Sequence, residues 1–444
     1  MTQESNDHVD QREPWQKNPE FNNKLIVLIS FGFFTTSVWS IYNNQVPLVL
    51  EELFENLFIV GFILTLDNIV GVIIQPLTGS LSDRTKSRFG RRMPFVMIGL
   101  PISALFFFLL GITRHDPVLY ILVILGFITS MAFWRAPIVA LMPDFVHPKD
   151  RSKGNAIVNV LGGIGTVLLT QFGSMIIDIN YALTFGIIAL VMIGSFTILF
   201  VGVKEPDTRN WDFDEQIGEE KVKKPGLKDN LKFIWAEEDK SMVWMMLAIF
   251  FWFIAYDTSS SFISLYAQEF FDFSRGAALQ IVTFSGAAFL LFAPLSVYLS
   301  KKLGRKKTIL IGLIIWAIGF LMGTTVVGAE YSLILYLTGV LMGIGWSFIN
   351  INSIIMVWSM APNEKATGVY TGLYYTASFS SQIVGPLSFG FIFEYGIGIR
   401  YMLLMMTFVI ALAFISMAKV KRGEYELSEE EKEHRKQLAA EMDD

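Results

Sequence analysis

Three charged side chains lie far inside apolar stretches of the sequence: Asp67, Arg135 and Asp257. A charge near the centre of a lipid bilayer costs about 2.5–3.5 kcal/mol on insertion scales, so such residues are generally retained for function. Burial favours the neutral form of a carboxyl group, which can then carry a proton, and a guanidinium group can pair with carboxylates or with ligand oxygens. The three residues are therefore candidates for proton exchange and for binding a polar solute.

Asp67 is the sharpest proton-exchange candidate, with Asp257 as the second. At 1.5 Å per residue, Asp67 lies roughly 20 Å from the end of its apolar segment, close to mid-membrane. The alternative is that Asp67 is a structural acid paired within the amino-terminal half. We expect Arg135 to pair with Asp67 or Asp257 when the site is empty and with substrate oxygens when it is occupied.

The elements that position these charges are predicted from the hydrophobic pattern. The chain has 444 residues, of which 53% are hydrophobic and 17% are charged, and its mean hydropathy is +0.49. Charges gather between long apolar runs, as in an all-α integral membrane protein whose helices satisfy their own backbone hydrogen bonds. Twelve transmembrane helices are predicted, at residues 24–50, 57–80, 94–113, 117–142, 154–177, 181–203, 241–267, 276–300, 306–328, 331–358, 366–393 and 398–418.

Lysine and arginine concentrate in the connections after the second, fourth, sixth and eighth segments. Short basic loops stay on the cytoplasmic side, so a multi-pass protein with both termini in the cytoplasm is predicted. Residues 1–23 and 419–444 are then cytoplasmic tails. Residues 204–240 form a cytoplasmic connection between six helices at 24–203 and six at 241–418, and its part from Trp211 to Glu220 is expected to be flexible.

The two halves repeat one another. Pro148-Lys-Asp-Arg-Ser-Lys-Gly154 and Pro362-Asn-Glu-Lys-Ala-Thr-Gly368 share proline, acid, base and glycine, each preceding an apolar segment. Such duplication is typical of transporters in which two bundles move around a central site.

One cytoplasmic loop carries the most specific motif. Residues 75–95 read QPLTGSLSDRTKSRFGRRMPF, in which a glycine and an aspartate precede a dense basic cluster. The motif residues, predicted to form a gating loop, are Gly79, Asp83, Arg84, Gly90, Arg91 and Arg92. The pattern resembles the loop between helices 2 and 3 of the major facilitator superfamily. The longer string is similar to the sucrose:proton symporter branch related to the glycoside–pentoside–hexuronide:cation symporters.

This resemblance implies two pseudo-symmetric six-helix bundles whose first, fourth, seventh and tenth helices line a central cavity. Aromatic rings can stack on sugar faces, while amides and charges bind hydroxyl groups. The alternative is that Asn and Trp residues only bridge neighbouring helices. The candidates for substrate binding are Trp39, Tyr42, Asn43, Asn44, Gln45, Asn68, Trp134, Arg135, Asp257, Trp346, Asn350, Asn352, Tyr374, Tyr375 and Gln382.

The function implied is proton-coupled symport of a disaccharide or other glycoside, sucrose-like or maltose-like, by alternating access. Melibiose-type relatives place cation-binding aspartates at the positions of Gly71 and Gln75, so sodium coupling is less favoured. The alternative is a related carrier of another solute, such as a sodium-coupled sugar, a lipid-like or a drug-like molecule. We expect a monomer in the cytoplasmic membrane that is not an enzyme, with no cofactor, no metal and no nucleic-acid partner, because neither a P-loop nor a clustered nucleophile or metal set is present.

Overall fold

The structure is a computed structural model, and it describes residues 22–147, 150–211, 239–325, 327–361 and 367–423. Within these residues the chain forms α-helices and short 3₁₀ helices, and it contains no β-strand. Most of both predicted tails, most of the connection at 204–240 and most of the second repeat motif lie outside the described residues.

Twelve helical segments account for nearly all of the described chain, and we number them in chain order. They are α1 (Asn23–Phe34 and Val38–Phe54, joined by a 3₁₀ turn at Thr35–Ser37), α2 (Leu57–Asp83), α3 (Met93–Ile112), α4 (Pro117–Phe145), α5 (Arg151–Ile176), α6 (Tyr181–Gly202), α7 (Ser241–Phe271), α8 (Arg275–Leu303), α9 (Arg305–Thr324), α10 (Ser332–Met360), α11 (Thr367–Tyr395) and α12 (Met402–Lys419).

Among the described residues, 11 helical stretches are long and apolar enough to cross a membrane. The remaining long helix, α11, has 29 residues but carries a run of threonine and serine that lowers its hydropathy. The all-α multi-pass architecture predicted from the sequence is therefore confirmed. The largest boundary differences are four residues: α1 ends at Phe54 and α7 at Phe271, later than predicted, while α9 ends earlier, at Thr324, and α12 begins later, at Met402.

Polar residues fix where several helices begin. The side chains of Asn22, Asp116 and Asn180 accept hydrogen bonds from backbone N–H groups in the first turns of α1, α4 and α6. These bonds satisfy donors that have no partner inside the helix. At Gly304, φ is +90°, a conformation that favours glycine, and the chain turns there from α8 into α9.

The chain divides into two compact units. The first comprises the described residues of Met1–Trp39, Ile69–Leu169 and Ile179–Lys223; the second comprises those of Ser40–Asn68, Thr170–Asp178 and Lys224–Asp444. Helices α1, α2 and α5 therefore contribute to both units. The predicted bundles at 24–203 and 241–418 stay a prediction.

Small residues let helices of the second unit approach closely. A Cβ atom at Gly343 of α10 would lie 2.0 Å from the carbonyl oxygen of Ser285 in α8. Gly312 of α9 and Gly345 of α10 would likewise each place a Cβ within 2.8 Å of the other's carbonyl oxygen. Glycine at such positions permits backbone contact between helices that lack a hydrophobic driving force for association.

We predict that Gly343→Ala destabilises the protein, because the new methyl group must displace backbone of α8. Overpacking of this kind costs about 1–3 kcal/mol. Thermal unfolding in detergent is the measurement. The matched control is Gly372→Ala on α11, where no described atom beyond the adjacent residues and backbone of its own helix lies within 4 Å of the added Cβ. Equal melting temperatures for the two variants would contradict the packing described.

Candidate functional site

Two carboxyl groups and a phenol come together in the second unit. Asp67 of α2 lies close enough to Asp257 of α7 for the two carboxylates to interact electrostatically, and close enough to Tyr42 of α1 to interact with its hydroxyl group. We call Asp67 and Asp257 the acidic pair. The Oδ2 atom of Asp257 is buried and has no hydrogen-bond partner among the described residues.

Asp67 is held by its neighbour in sequence. The backbone N–H and the side-chain amide of Asn68 both donate to Oδ1 of Asp67, at 2.6 and 2.7 Å. Charge-assisted bonds of this kind compensate part of the cost of placing a carboxylate in an apolar helix. Asn68, predicted as a substrate ligand, therefore contacts the candidate proton site directly.

Three aromatic rings stack on one another in the second unit. Trp346 of α10 lies parallel to Tyr256 of α7, with ring centroids 4.2 Å apart and planes 15° apart. Trp316 of α9 continues the stack at 5.6 Å from Trp346, and Phe253 meets Trp346 edge-on at 5.2 Å. Tyr256 and Trp316 were not predicted. Tyr256 is adjacent to Asp257 in sequence, a signal that could have identified it, whereas nothing in the sequence marks Trp316.

Asn44 and Gln45 of α1 form a buried amide pair in the same unit. The Nε2 atom of Gln45 donates to Oδ1 of Asn44 at 2.7 Å and to the carbonyl oxygen of Arg275 at 3.2 Å. The Nδ2 atom of Asn44 and the Oε1 atom of Gln45 have no partner within the described part of the chain. Buried polar atoms of this kind are costly unless another group satisfies them.

Several predicted substrate ligands bridge helices instead. The indole N–H of Trp134, which is fully buried, donates to Ser103 of α3 at 3.0 Å in the first unit. In the second unit, Asn352 of α10 donates to Ser296 of α8 at 2.9 Å and is 2% exposed. These contacts match the structural alternative, so neither residue is carried into the site.

The remaining candidates differ in exposure. In the first unit, Trp39 is half-buried against Phe127, with ring centroids 5.3 Å apart, and Arg135 is exposed on α4. The predicted pairing of Arg135 with either acid stays a prediction.

In the second unit, the hydroxyl groups of Tyr374 and Ser353 lie 3.2 Å apart. Tyr375 is 49% exposed. The half-buried candidates in the second unit are Asn43, Asn350 and Gln382.

The basic loop motif forms an ion network around the buried Arg92 side chain in the first unit. The Arg92 side chain, 6% exposed, contacts Asp83 at 2.5 Å and Asp144 of α4 at 3.1 Å, and it donates to the Ser82 hydroxyl at 2.6 Å. Arg91 also pairs with Asp144, at 2.9 Å. Asp83 therefore pairs with a motif arginine, and Asp144 joins this network from α4.

Glu205 was not predicted and extends this network. Its carboxylate accepts the backbone N–H groups of Arg92 and Met93, at 3.0 and 2.6 Å, where α3 begins. Gly90, at φ +90°, makes room: a Cβ there would lie 2.1 Å from the Cβ of Glu205. No sequence pattern links Glu205 to a loop more than 110 residues earlier.

The segment after Glu205 also folds onto this loop. The Thr208 hydroxyl group accepts a hydrogen bond from the Ser87 N–H at 3.0 Å. It donates one to the Thr85 carbonyl oxygen, also at 3.0 Å. Trp211 is only 2% exposed. Trp211 is the first residue of the stretch expected to be flexible, and the rest of that stretch lies outside the described residues, so the expectation stays a prediction.

Burial raises the pKa of Glu205 to about 7. The Met93 and Arg92 N–H groups and the Arg92 charge oppose the rise, while the Asp144 charge adds to it. A carboxyl group in this state titrates near neutral pH, in contact with the ion network.

The sequence matches the family model of the Major Facilitator Superfamily over residues 28–292 and 277–441. The chain belongs to this superfamily. Its family and fold are those of multi-pass membrane transporters. No group of three or more His, Cys, Asp or Glu side chains that could hold a metal occurs in the described ranges.

Curated superfamily relatives differ in the solutes that their names state. Multidrug resistance protein 2 of Bacillus subtilis is 24% identical over 79% of this chain and 85% of its own length. Lactose permease of Lactobacillus delbrueckii subsp. bulgaricus is 26% identical over 56% of this chain and 42% of its own. Sucrose transport protein SUC3 of Arabidopsis thaliana is 28% identical over 24% of this chain and 22% of its own length. The sugar carriers agree with the resemblance to the sucrose:proton symporter branch.

Solved superfamily structures share the fold. A mutant form of the nucleoside transporter NupG has a TM-score of 0.70 at 16% identity, covering 90% of this chain and 100% of that one. The D-xylose-proton symporter has a TM-score of 0.67 at 15% identity, and the match covers 90% of this chain and 98% of that one. At these identities the likeness establishes the fold alone.

We predict that Glu205 makes stability depend on pH near neutrality. Its pKa in the folded chain, about 7, exceeds its ordinary value of 4.5. The folded state therefore holds this proton more tightly, so the stabilisation is complete below about pH 4.5 and is lost as pH rises through about 7. Melting temperatures in detergent between about pH 5 and pH 8 should fall less steeply for Glu205→Gln, which is neutral throughout.

The matched control for this measurement is Asp207→Asn. A hydrogen bond from Arg209 holds the pKa of Asp207 below its usual range, and the side chain is exposed, so it does not titrate in this window. The pH profile of this variant should follow wild type. A Glu205→Gln profile identical to wild type would contradict the role given to Glu205.

Proposed function

We propose that this protein is a proton-coupled symporter of a disaccharide or other glycoside, with sucrose-like and maltose-like sugars as the leading substrates. It works by alternating access between two six-helix bundles. We further propose that it acts as a monomer in the cytoplasmic membrane with both termini in the cytoplasm, as the basic loops favour.

The observation that carries this proposal is the acidic pair. Two ionised carboxylates close together in a low-dielectric region repel one another strongly, and binding one proton relieves that repulsion. Asp67 and Asp257 lie on α2 and α7, one from each half of the repeat. Motion of those halves would change the separation of the pair and hence its affinity for a proton, which is how a proton can be coupled to alternating access.

Aromatic and amide groups in the same unit as the acidic pair support a sugar as substrate. The stacked rings of Tyr256 and Trp346 provide an aromatic surface, and Asn44 and Gln45 have amide atoms without partners in the described chain. Sugar hydroxyl groups can satisfy such donors and acceptors, while the C–H faces of a pyranose ring contact aromatic carbon. A proton is favoured over sodium because Gly71 and Gln75 stand where melibiose-type relatives have aspartates.

The first test is proton entry into proteoliposomes when a panel of sugars is added outside. We predict that one disaccharide or glycoside acidifies the lumen with the wild-type protein. With Asp67→Asn, sugar-driven acidification should fall to the level of protein-free liposomes, because the amide cannot exchange a proton. The measurement is the fluorescence of a trapped pH indicator.

The matched control is Asp272→Asn, which makes the same chemical change at an exposed residue just after α7. Asp272 has φ +52°, which asparagine also tolerates, so the variant should fold and transport normally. Sugar-driven proton entry that is fully retained in Asp67→Asn would show that Asp67 is not the proton-coupling residue.

A second candidate function follows from one relative. Similarity to a protein named for multidrug resistance extends over 79% of this chain. A carrier of drug-like molecules would give no sugar response in the panel but would move protons when a lipophilic cation is added. If no proton movement occurs, repeating the panel under a sodium gradient tests a sodium-coupled sugar.

Arg135 provides a separate prediction. Arg135→Lys keeps the charge but loses the planar fork that can bind two oxygens at once. Loss of one charge-assisted hydrogen bond corresponds to an increase of about tenfold in the KM for sugar uptake. Arg209→Lys, at an exposed loop residue, is the control and should leave KM unchanged. A KM for Arg135→Lys equal to that of the control would exclude Arg135 from substrate binding.

A further inference from the structure

Two acidic side chains join helix ends on the side of the protein opposite the basic loops. Asp178 follows α5, and Glu394 lies in the last turn of α11. Each carboxylate accepts a backbone N–H from the start of a helix that is distant in sequence, α8 for Asp178 and α2 for Glu394. All four helix ends belong to the second unit.

Asp178 holds α8 through two hydrogen bonds. Its Oδ1 atom accepts the Gly276 N–H at 3.0 Å, and its Oδ2 atom accepts the Ser274 hydroxyl at 2.6 Å. Gly276 allows the close approach, since a Cβ there would lie 2.3 Å from the Ser174 carbonyl oxygen of α5. Two turns further along α8, the buried hydroxyl of Thr283 donates to that of Thr170 at 2.9 Å.

Glu394 holds α2 in a corresponding way. Its Oε2 atom accepts the Leu57 N–H at 2.8 Å. Glycines again allow backbone contact: a Cβ at Gly61 would lie 2.3 Å from the Pro386 carbonyl oxygen, and one at Gly390 would lie 2.6 Å from that of Leu57.

Neither helix needs the distant carboxylate to begin. Ser274 caps α8 by accepting the Ala277 N–H at 3.1 Å, and Asn56 caps α2 by accepting the Ile59 N–H at 3.0 Å. Each carboxylate therefore adds a second acceptor where the helix dipole attracts negative charge. What it contributes beyond capping is a bond between two helices.

A third contact acts on the same end of α8. The Arg275 guanidinium forms an ion pair with Glu52 of α1, and the Arg275 carbonyl oxygen accepts the Gln45 side chain at 3.2 Å. The start of α8 is thus held by α1 and α5 together.

We propose that Asp178 and Glu394 form a paired latch that keeps this side of the transporter closed. Helices α2 and α5 are the second and fifth of the first half, and α8 and α11 are the second and fifth of the other half. The same arrangement is therefore present twice. In each case the fifth helix of one half is bonded to the second helix of the other half. The proposal rests on the alternating access of the proposed function, in which these helix pairs separate when this side opens.

The test uses the absence of cysteine from the chain. Thr283→Cys introduces a single thiol at a position that is 4% exposed, beside α5. A membrane-impermeant maleimide added to purified protein in nanodiscs reacts with this thiol only when α8 and α5 separate. The rate is measured without sugar and without a pH gradient, so it does not depend on the identity of the substrate or of the coupling ion.

We expect Asp178→Ala combined with Glu394→Ala to raise the labelling rate about tenfold, the population change expected from losing hydrogen bonds to charged groups. Each single substitution should give a smaller increase. Glu330→Ala removes an exposed acid on the same side that makes no helix-joining contact in the described structure, and it should leave the rate unchanged.

An unchanged rate in a double variant that elutes as a single species with wild-type helical content would overturn the latch. If the double variant does not fold, Asp178→Asn and Glu394→Gln each keep one acceptor oxygen and should raise the rate modestly. No increase in either of these variants would also overturn the proposal. A rise in labelling alongside failure of every sugar to move protons would support the latch and refute only the proposed substrate.

Discussion

The cost of placing charge in an apolar environment is the constraint on which this structure depends. Among the described residues, Arg92 and Asp67 show two ways of meeting this cost. Arg92 is buried with two carboxylates and a hydroxyl group, and it ties α2, α3 and α4 together within the first unit. Asp67 is bonded by Asn68 and lies near a second acid, an arrangement that stability alone does not favour. That contrast is why we propose a functional role for the acidic pair.

The cost of leaving polar groups unpaired in an apolar environment applies to helix ends as well. The first N–H groups of a helix have no partner within it, so they attract carboxylates. Glu205 meets the start of α3, Asp178 meets α8 and Glu394 meets α2. In each case the carboxylate comes from a distant part of the chain. Capping contacts in this protein therefore also link distant parts of the chain, and α8 and α2 each have a local cap besides the distant carboxylate.

Much of the fold was predictable because a bilayer permits few solutions. Long apolar runs, basic connections and an internal repeat predicted an all-α multi-pass protein, and Gly79, Asp83 and the motif arginines predicted the superfamily. The site was predictable only in part. Asp67 and Asp257 stand out because charge is rare in apolar helices. Trp134 and Asn352 are of residue types that often bind sugars, but in this structure they bridge helices.

What the sequence could not show is pairing over long distances. Nothing near Arg92 indicates that Glu205 accepts its N–H, and nothing near Trp346 indicates that Trp316 stacks against it. Such contacts depend on how helices are arranged, which local periodicity does not encode. The division of α1, α2 and α5 between two compact units is likewise a property of tertiary contacts and not of hydropathy.

We propose that Asp67 couples a proton to sugar movement without being needed for sugar binding. The most direct measurement compares two modes of transport in the same vesicles containing Asp67→Asn: exchange of labelled for unlabelled sugar, and accumulation of sugar driven by a pH gradient. We predict that exchange is retained and that accumulation is lost. Accumulation that keeps its full dependence on the pH gradient would contradict it.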